Sequence, residues 1–171
     1  MRRLSLALLT GALAVGIVAA PAAAKQPDPG MNIVKTAIAV NMDPKSPYYQ
    51  QFDILIKLVG DLKLVDALSA RGQLTVFAPT DAAFQRLFDK LTDAQEAALT
   101  PEILTDIVLF HVAKGNRDAA EVLGSSQIRM LNGDFAKVDG KAGTIDGAVI
   151  EFVNVPASNG IIHVVSDVLL P

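Results

Sequence analysis

Cysteine and tryptophan are both absent from this chain of 171 residues, and histidine occurs only twice. Without cysteine, the fold uses no disulfide bond and offers no thiolate ligand to a metal ion. Long apolar runs are also missing beyond residue 24, where no stretch reaches the roughly 18 consecutive apolar residues of a membrane-spanning helix. We therefore expect neither a disulfide scaffold nor a membrane span in that part of the chain.

The first 24 residues have the composition of a secretory signal peptide. Arg2 and Arg3 precede an apolar run over residues 4–20, and the alanines at 22–24 form a small-residue cleavage site. Cleavage there predicts residues 25–31 as a flexible leader and residues 32–171 as one domain. No cysteine follows the site to carry a lipid anchor. We expect an exported, periplasmic or extracellular protein that is soluble and not inserted in a membrane after cleavage.

Acidic residues outnumber basic ones in the predicted mature chain. Removing Arg2 and Arg3 from the 15 basic residues leaves 13, against 18 acidic residues. Affinity for nucleic acid comes mostly from lysine and arginine contacts with phosphates, so this balance argues against nucleic acid as the main ligand. A domain of this size buries enough apolar surface to fold without covalent cross-links.

The first half of the predicted domain carries mainly helical signals. Apolar residues at helical spacing predict helices near residues 32–39, 52–59 and 64–68. Pro44 and Pro47 interrupt the pattern, so residues 41–51 are predicted to form a loop. The chain's two tyrosines, Tyr48 and Tyr49, both lie in this loop. Further helix starts are predicted at residues with good N-cap chemistry, namely Thr80, Thr92 and Thr100.

Turn signals and short strand-like segments dominate the second half. Three dipeptides that favour two-residue hairpin turns recur every seven residues: Asn132-Gly133, Asp139-Gly140 and Asp146-Gly147. Together with strand-like runs near residues 148–155 and 161–165, they predict a β-meander. One more strand is predicted at residues 74–77, ahead of Pro79. Helices followed by a sheet define an α+β fold.

Signatures of catalysis and of metal binding are missing from the sequence. It contains no Gly-x-Ser-x-Gly, no Gly-x-x-x-x-Gly-Lys-Ser/Thr and no His-Glu-x-x-His. His111 and His163 lie 52 residues apart, each within an apolar run. Buried polar groups are nearly always hydrogen-bonded, so a structural imidazole with a lowered pKa is favoured over a zinc ligand at both positions. We expect no enzyme activity, no cofactor and no bound metal.

Two segments carry a resemblance to a known family. Residues 75–84, Thr-Val-Phe-Ala-Pro-Thr-Asp-Ala-Ala-Phe, resemble the first signature of the fasciclin domain. Residues 159–165, Asn-Gly-Ile-Ile-His-Val-Val, resemble the second together with the Val-Leu-Leu-Pro of residues 168–171. The order and the separation of the two also match. The resemblance covers about residues 32–171.

The resemblance implies helices packed against a wedge of two β-sheets, with the second signature as a central strand buried on both faces. It also implies a role in cell adhesion or extracellular-matrix binding. The signature side chains are expected to determine the fold more than to contact a partner. They are Phe77, Pro79, Thr80, Asp81, Phe84, Asn159, Gly160 and His163.

The chain departs from the family at two dipeptides that are implicated in integrin adhesion of animal members. The Tyr-His pair is Phe110-His111 here, and the Asp-Ile pair before the second signature is Asn154-Val155. The phenolic hydroxyl and the acidic residue that a metal-dependent integrin would coordinate are missing at these places. Integrin-type adhesion is therefore not carried over, while the four residues stand as candidate partner contacts by their position.

Two functions remain open on the sequence. We predict a non-catalytic exported domain that binds a surface protein or glycan of a cell or matrix. Tyr48 and Tyr49 are candidate contacts because loops carry binding and tyrosine offers a large contact area, unless a ring folds back onto the N-terminal helices. The alternative function is a periplasmic carrier of a small apolar or carbohydrate ligand, which a closed apolar pocket of several hundred Å³ would favour.

Overall fold

The structure, a computed structural model, describes residues 30–70 and 72–171. The predicted signal peptide and residues 25–29 of the predicted leader lie outside the described residues. Met31, the last residue of that leader, is already attached to the fold. Its carbonyl accepts a 2.8 Å hydrogen bond from the N–H of Ser158.

Helices dominate the first part of the described chain and strands the second. The helices are α1 (Ile33–Met42), α2 (Asp53–Asp61), α3 (Val65–Ser69), α4 (Asp81–Phe88), α5 (Asp93–Ala97), α6 (Pro101–Phe110) and α7 (Ala119–Gly124). The strands are β1 (Leu74–Pro79), β2 (Val112–Lys114), β3 (Gln127–Arg129), β4 (Phe135–Asp139), β5 (Thr144–Ile145), β6 (Ala148–Ala157) and β7 (Gly160–Val165). The predicted α+β class is confirmed.

Short polar side chains begin most of the helices. Each accepts a hydrogen bond from the main-chain N–H three residues on: Asn32 for α1, Thr80 for α4, Thr92 for α5, Thr100 for α6 and Asp118 for α7. The three threonine caps predicted from the sequence are confirmed. Helix α2 differs, because its N-cap residue Phe52 has no side-chain acceptor.

The strands form one hydrogen-bonded order, β2-β1-β7-β6-β5-β4-β3. Strands β1 and β7 run parallel, whereas the other neighbouring pairs are antiparallel. The ends of this order meet where Ala113 of β2 bridges Met130, the residue after β3. The two sides of the expected wedge are thus the two halves of one sheet that folds back on itself.

Two apolar clusters flank the central β1–β7 pair. Alternate residues of a strand point to opposite faces, so Val76 and Ile162 join the cluster under α1 and α2. Phe77 and Val165 join the cluster enclosed by the folded sheet. Every residue of β1 and β7 is buried, which confirms the expectation of a central strand buried on both faces.

One of the three predicted hairpin turns is confirmed. Asp146 and Gly147 connect β5 to β6 with φ of +47° and +84°, as a type I′ turn requires. The two-residue turn predicted at Asn132-Gly133 is wrong. The N–H of Met130 donates to the carbonyl of Asp134, so the loop between these two residues has three residues.

The predicted two-residue turn at Asp139-Gly140 is also wrong. Neither residue has positive φ, and strand β5 begins only at Thr144. The Asp139 carboxylate instead accepts the N–H groups of Lys141 and Ala142, which makes a longer turn. Gly140 is required for a different reason: a Cβ there would overlap the carbonyl oxygen of Leu123.

Candidate functional site

The loop between α1 and α2 is ordered by its own hydrogen bonds. It covers residues 43–52, since α1 extends through Met42 and includes the first two residues of the predicted loop. Three main-chain hydrogen bonds fold it into successive turns. The buried Asn41 closes it, because its Oδ1 accepts the N–H of Phe52 at 2.8 Å and its carbonyl accepts the N–H of Gln50 at 2.9 Å. The loop therefore has internal hydrogen bonds that favour this one conformation.

The two tyrosines of this loop lie in different environments. The ring of Tyr48 packs against Phe52 and Phe152, with centroids 5.8 Å and 5.5 Å away. Burial, helped by the negative charge of Glu151, raises the pKa of Tyr48 to about 12. Tyr49 is 40% exposed. The interpretation of both rings as one contact surface therefore needs correction: Tyr48 is partly buried against the core, and Tyr49 is the more exposed ring.

Met42 is an exposed residue that the sequence reasoning missed. It ends α1 with 70% of its surface exposed. Asn41 precedes Met42 and Gln50 follows Tyr49, and the hydrogen bond between Asn41 and Gln50 brings these two parts of the chain together. A methionine at helical spacing usually predicts a core position. The one sequence signal for exposure of Met42 is its place in the last turn of α1, just before the loop.

The first signature joins two helix starts. Thr80 caps α4, and the next residue, Asp81, extends its carboxylate to the start of α2. There its oxygens accept the N–H groups of Asp53 at 3.2 Å and Ile54 at 2.9 Å. Asp81 supplies the cap that α2 lacks. Sequence reasoning missed this role, because the partner lies 27 residues earlier in the chain and no local pattern connects the two.

The remaining side chains of the first signature are packed in the core. Phe77 and Pro79 of β1 and Phe84 of α4 are all buried. Phe77 lies in the cluster enclosed by the sheet, whereas Phe84 lies in the cluster on the helical side. The strand-to-helix junction thus connects the two clusters. This placement accords with a role in folding, and that role stays a prediction.

Asn159 of the second signature connects three segments that are far apart in sequence. Its Oδ1 accepts the N–H of Ile33, the first residue of α1, at 2.8 Å. Its Nδ2 donates to the carbonyls of Leu68 at 2.8 Å and Ala70 at 3.3 Å, at the end of α3. The side chain is buried. One amide therefore attaches α1 and α3 to the start of β7.

Asn159→Ala is expected to lower the free energy of unfolding by about 2–3 kcal/mol, because it leaves a buried N–H and a buried carbonyl without partners. Urea denaturation measures this loss. Asn132→Ala is the control, since Asn132 bonds only to its near neighbour Asp134 at an exposed turn, and a change below about 0.5 kcal/mol is expected. Equal losses in the two variants would contradict the connecting role of Asn159.

His163 is a neutral ring within the sheet. Its Nε2 lies 2.9 Å from the carbonyl of Arg117, and its Nδ1 accepts the N–H of Asn154 at 3.4 Å. A carbonyl facing one nitrogen and an N–H facing the other place the proton on Nε2. The ring stacks on Phe77 with centroids 5.6 Å apart. Burial lowers the pKa of His163 below its ordinary value.

His111 has the opposite tautomer. Its Nδ1 lies 2.8 Å from the carbonyl of Ile107, and its Nε2 accepts the N–H of Leu169 at 2.9 Å, so the proton is on Nδ1. Burial lowers the pKa of His111 to about 4. The expectation of buried imidazoles with both nitrogens hydrogen-bonded is confirmed for His111 and His163.

The structure corrects three of the four dipeptide contacts. Phe110 is 2% exposed, His111 3% and Val155 7%, so their side chains cannot reach a partner while the domain is folded. Asn154 is exposed and has a φ of +62°. Its Oδ1 accepts the N–H of Ala119 at the start of α7 at 2.9 Å. A contact role for Asn154 remains a prediction.

An apolar cavity of about 50 Å³ lies between α1, α2 and the end of α6. Aliphatic side chains and Phe77 line most of it, and the single polar ring is that of His111. Its volume is far below the roughly 300–1,000 Å³ of ligand pockets. It is also below the roughly 150 Å³ of an engineered cavity that holds benzene. The carrier hypothesis gains no support from this cavity.

Residues 30–70 and 72–171 contain no group of three or more side chains placed to bind a metal ion. No helix in this part of the chain is long and apolar enough to cross a bilayer.

Comparison with known proteins is consistent with the signatures. The family model described as Fasciclin domain matches residues 50–171. Protein sll1483 of Synechocystis sp. is 39% identical over 128 residues, which cover 71% of this chain and 68% of that protein. Immunogenic protein MPB70 of Mycobacterium bovis is 34% identical over 112 residues, which cover 64% of this chain and 55% of that protein.

Among solved structures, a FAS1 domain pair from the insect cell adhesion molecule fasciclin I matches with a TM-score of 0.63 at 18% identity. The match covers 84% of this chain and about half, 52%, of that chain. The fold is therefore that of a FAS1 domain. With the family model matching most of its length, the chain belongs to the fasciclin domain family.

Proposed function

We propose that this domain is a non-catalytic, exported binding module that attaches to a surface protein or glycan of a cell or matrix. The observation that carries the proposal is the ordered loop of residues 43–52, which presents Tyr49 beside the exposed end of α1. Membership of a family that includes a cell adhesion molecule supports it. So do the two histidines, because main-chain partners occupy all four ring nitrogens.

The order of the loop favours binding for an energetic reason. A segment that is already rigid loses little conformational entropy when a partner docks, so more of the contact energy remains as affinity. Tyrosine adds a large contact area with only two rotatable side-chain bonds. Met42 adds a flexible apolar surface that adapts to different partners. The contact surface is thus proposed to consist of Tyr49 and Met42, with Tyr48 supporting it from below.

Separate substitutions of the two tyrosines test this division. Tyr49→Ser is expected to leave the melting temperature within about 2 °C, because its ring makes few core contacts. Tyr48→Ser is expected to lower it by about 5–8 °C, because the stack on Phe52 and Phe152 is lost. Differential scanning calorimetry measures both. A larger drop in melting temperature for Tyr49→Ser than for Tyr48→Ser would mean that Tyr49 is the core residue, and it would contradict this division.

Binding itself is tested on the envelope of the producing cell. Labelled domain is titrated onto envelope vesicles, and Tyr49→Ser is expected to weaken saturable binding at least tenfold. Phe135→Ser is the matched control, since Phe135 is an aromatic ring 53% exposed on β4 and outside the loop, and it is expected to leave binding unchanged. Equal weakening by both variants would indicate general surface stickiness and contradict the proposed contact.

A further inference from the structure

The 166–171 segment follows β7, and its first residue continues the pairing with β6: the N–H of Ser166 donates to the carbonyl of Val149 at 2.9 Å, and its Oγ accepts the N–H of Val149 at 3.0 Å. Beyond Ser166, Val168 is partly buried against the cluster on the helical side, and one buried and one exposed attachment hold the rest.

Leu169 is 1% exposed and packs with Phe77 and Phe110 in the cluster enclosed by the sheet. Its N–H donates to Nε2 of His111 at 2.9 Å. This hydrogen bond is the buried attachment, and it depends on a lone pair at a titratable nitrogen.

The exposed attachment comes from α4. Nε of Arg86 donates to the Asp167 carboxylate at 3.1 Å, and its Nη2 donates to the carbonyl of Ser166. Both side chains of the ion pair are about half exposed, and exposed ion pairs contribute little to stability. Residues 167–171 therefore depend mainly on the packing of Val168 and Leu169 and on the hydrogen bond to His111.

We propose that His111 is an acid-sensitive latch, and that protonation of its Nε2 releases residues 167–171 while Ser166 and the rest of the sheet stay in place. The carbonyl of Ile107 keeps the single ring proton on Nδ1, so Nε2 has no alternative but to act as the acceptor. A proton at Nε2 removes the acceptor of the hydrogen bond from Leu169, so that the N–H of the ring and the N–H of Leu169 point at each other and repel. It also leaves a charged ring in an apolar cluster, which favours exposure of the ring.

Among the residues that the structure describes, no charged side chain near His111 compensates for this. The ring nitrogens face the carbonyl of Ile107 and the N–H of Leu169, and the ring lines the cavity together with apolar side chains of α1, α2, α3, α6, β1, β2 and β7. Of the titratable groups on these elements only His163 is buried, and burial lowers its pKa too. The exposed ones are Lys35, Asp53, Lys57, Asp61, Asp66, Glu102, Asp106 and Lys114, and Asp167 is paired with Arg86. Burial alone lowers the pKa of His111, opposed only by the Ile107 carbonyl.

Hydrogen exchange measured by NMR on ¹⁵N-labelled protein tests the latch. A released ring titrates at its ordinary value of 6.5 and the latched ring at about 4. The protection factor of the Leu169 amide is then expected to fall by roughly two orders of magnitude between pH 7 and pH 4. The amides of Ile162 and Val164 in β7 are expected to stay better protected than Leu169 throughout. Simultaneous loss at all three amides would mean global unfolding and would overturn the proposal.

Two variants separate the latch from general acid effects. His111→Gln carries an amide that does not titrate, so the Leu169 protection factor is expected to be the same at pH 7 and pH 4. His163→Gln removes the other histidine and is expected to retain the pH dependence. If His111→Gln does not fold, the same test is made on the wild-type protein. The protection factor of the Leu169 amide must then fall over the same pH range in which the ¹⁵N chemical shift of His111 Nε2 changes. Titration of His111 without that loss contradicts the latch.

Discussion

Gly160→Ala is expected to lower the free energy of unfolding by about 3–5 kcal/mol, because it adds a steric overlap to backbone strain. Gly160 starts β7 with a φ of +155°, and a Cβ there would overlap the carbonyl oxygen of Leu74 and lie 2.8 Å from Cδ1 of Ile33. Leu74 is its partner in the parallel β1–β7 pair. The overlap therefore displaces the two central strands, and urea denaturation measures the cost.

Gly72→Ala is the matched control for this substitution. Gly72 has nearly the same φ, +153°, but nothing lies within 4 Å of the position of its Cβ. Only the backbone strain of a side chain at positive φ remains, with an expected loss of about 1 kcal/mol. Equal losses at Gly72 and Gly160 would attribute the whole effect to the backbone and contradict the role of the close approach to Leu74.

His163→Ala is expected to cost about 3 kcal/mol. The substitution removes a completely buried ring from its stack on Phe77. It also leaves the carbonyl of Arg117 and the N–H of Asn154 without the partner that each has now. Lost packing and unsatisfied main-chain groups both destabilise the fold. Denaturant midpoints at pH 7.5 measure the sum.

His163→Phe separates these two contributions. Phenylalanine keeps a ring on Phe77 but cannot bond to Arg117 or Asn154, so an intermediate loss of about 1–2 kcal/mol is expected. If His163→Phe is as stable as the wild-type protein, the hydrogen bonds contribute nothing and the role assigned to the imidazole is wrong.

The stability of the wild-type protein is also expected to depend on pH through His163. Burial lowers its pKa in the folded state, so between that value and 6.5 the unfolded chain binds more protons than the native chain. The neutral ring contributes its full stability above pH 6.5, and this contribution declines as the pH falls toward the lowered pKa. His163→Phe is expected to show a shallower decline. His111 and the carboxyl groups whose pKa is lowered in the folded state, such as Asp167, contribute to the decline that remains.

Local chemistry explains which parts of this fold were predictable. Thr80, Thr92 and Thr100 were recognised as helix starts because each cap bonds to an N–H only three residues away. The turn at Asp146 and Gly147 was recognised because both of its residues must adopt positive φ. The turn wrongly predicted at Asp139-Gly140 has the same local composition. Its glycine is required because a Cβ would overlap the carbonyl oxygen of Leu123 on α7, and no residue near Gly140 in the chain indicates that contact.

The candidate site was predictable only in outline. The sequence indicated a tyrosine-bearing loop after α1, and the prolines and tyrosines that indicate it are neighbours in the chain. It did not indicate that Tyr48 turns toward Phe152, 104 residues later, while Tyr49 faces solvent. Two adjacent residues of the same type differ in burial only through what the fold brings next to each.

The sequence by itself determined the α+β class, the helix starts at Thr80, Thr92 and Thr100 and the burial of the two signature strands, because these follow from neighbouring residues and their periodicity. Its resemblance to two signature motifs identified the family. Only the tertiary structure decided that Asp81 caps α2, that Asn159 attaches α1 to α3, and that His111 holds Leu169. Each of these contacts joins a side chain to a main-chain group that is distant in sequence. Unpaired main-chain groups are costly when buried, and the partner of each is set by which segments the packed sheet brings within 3 Å.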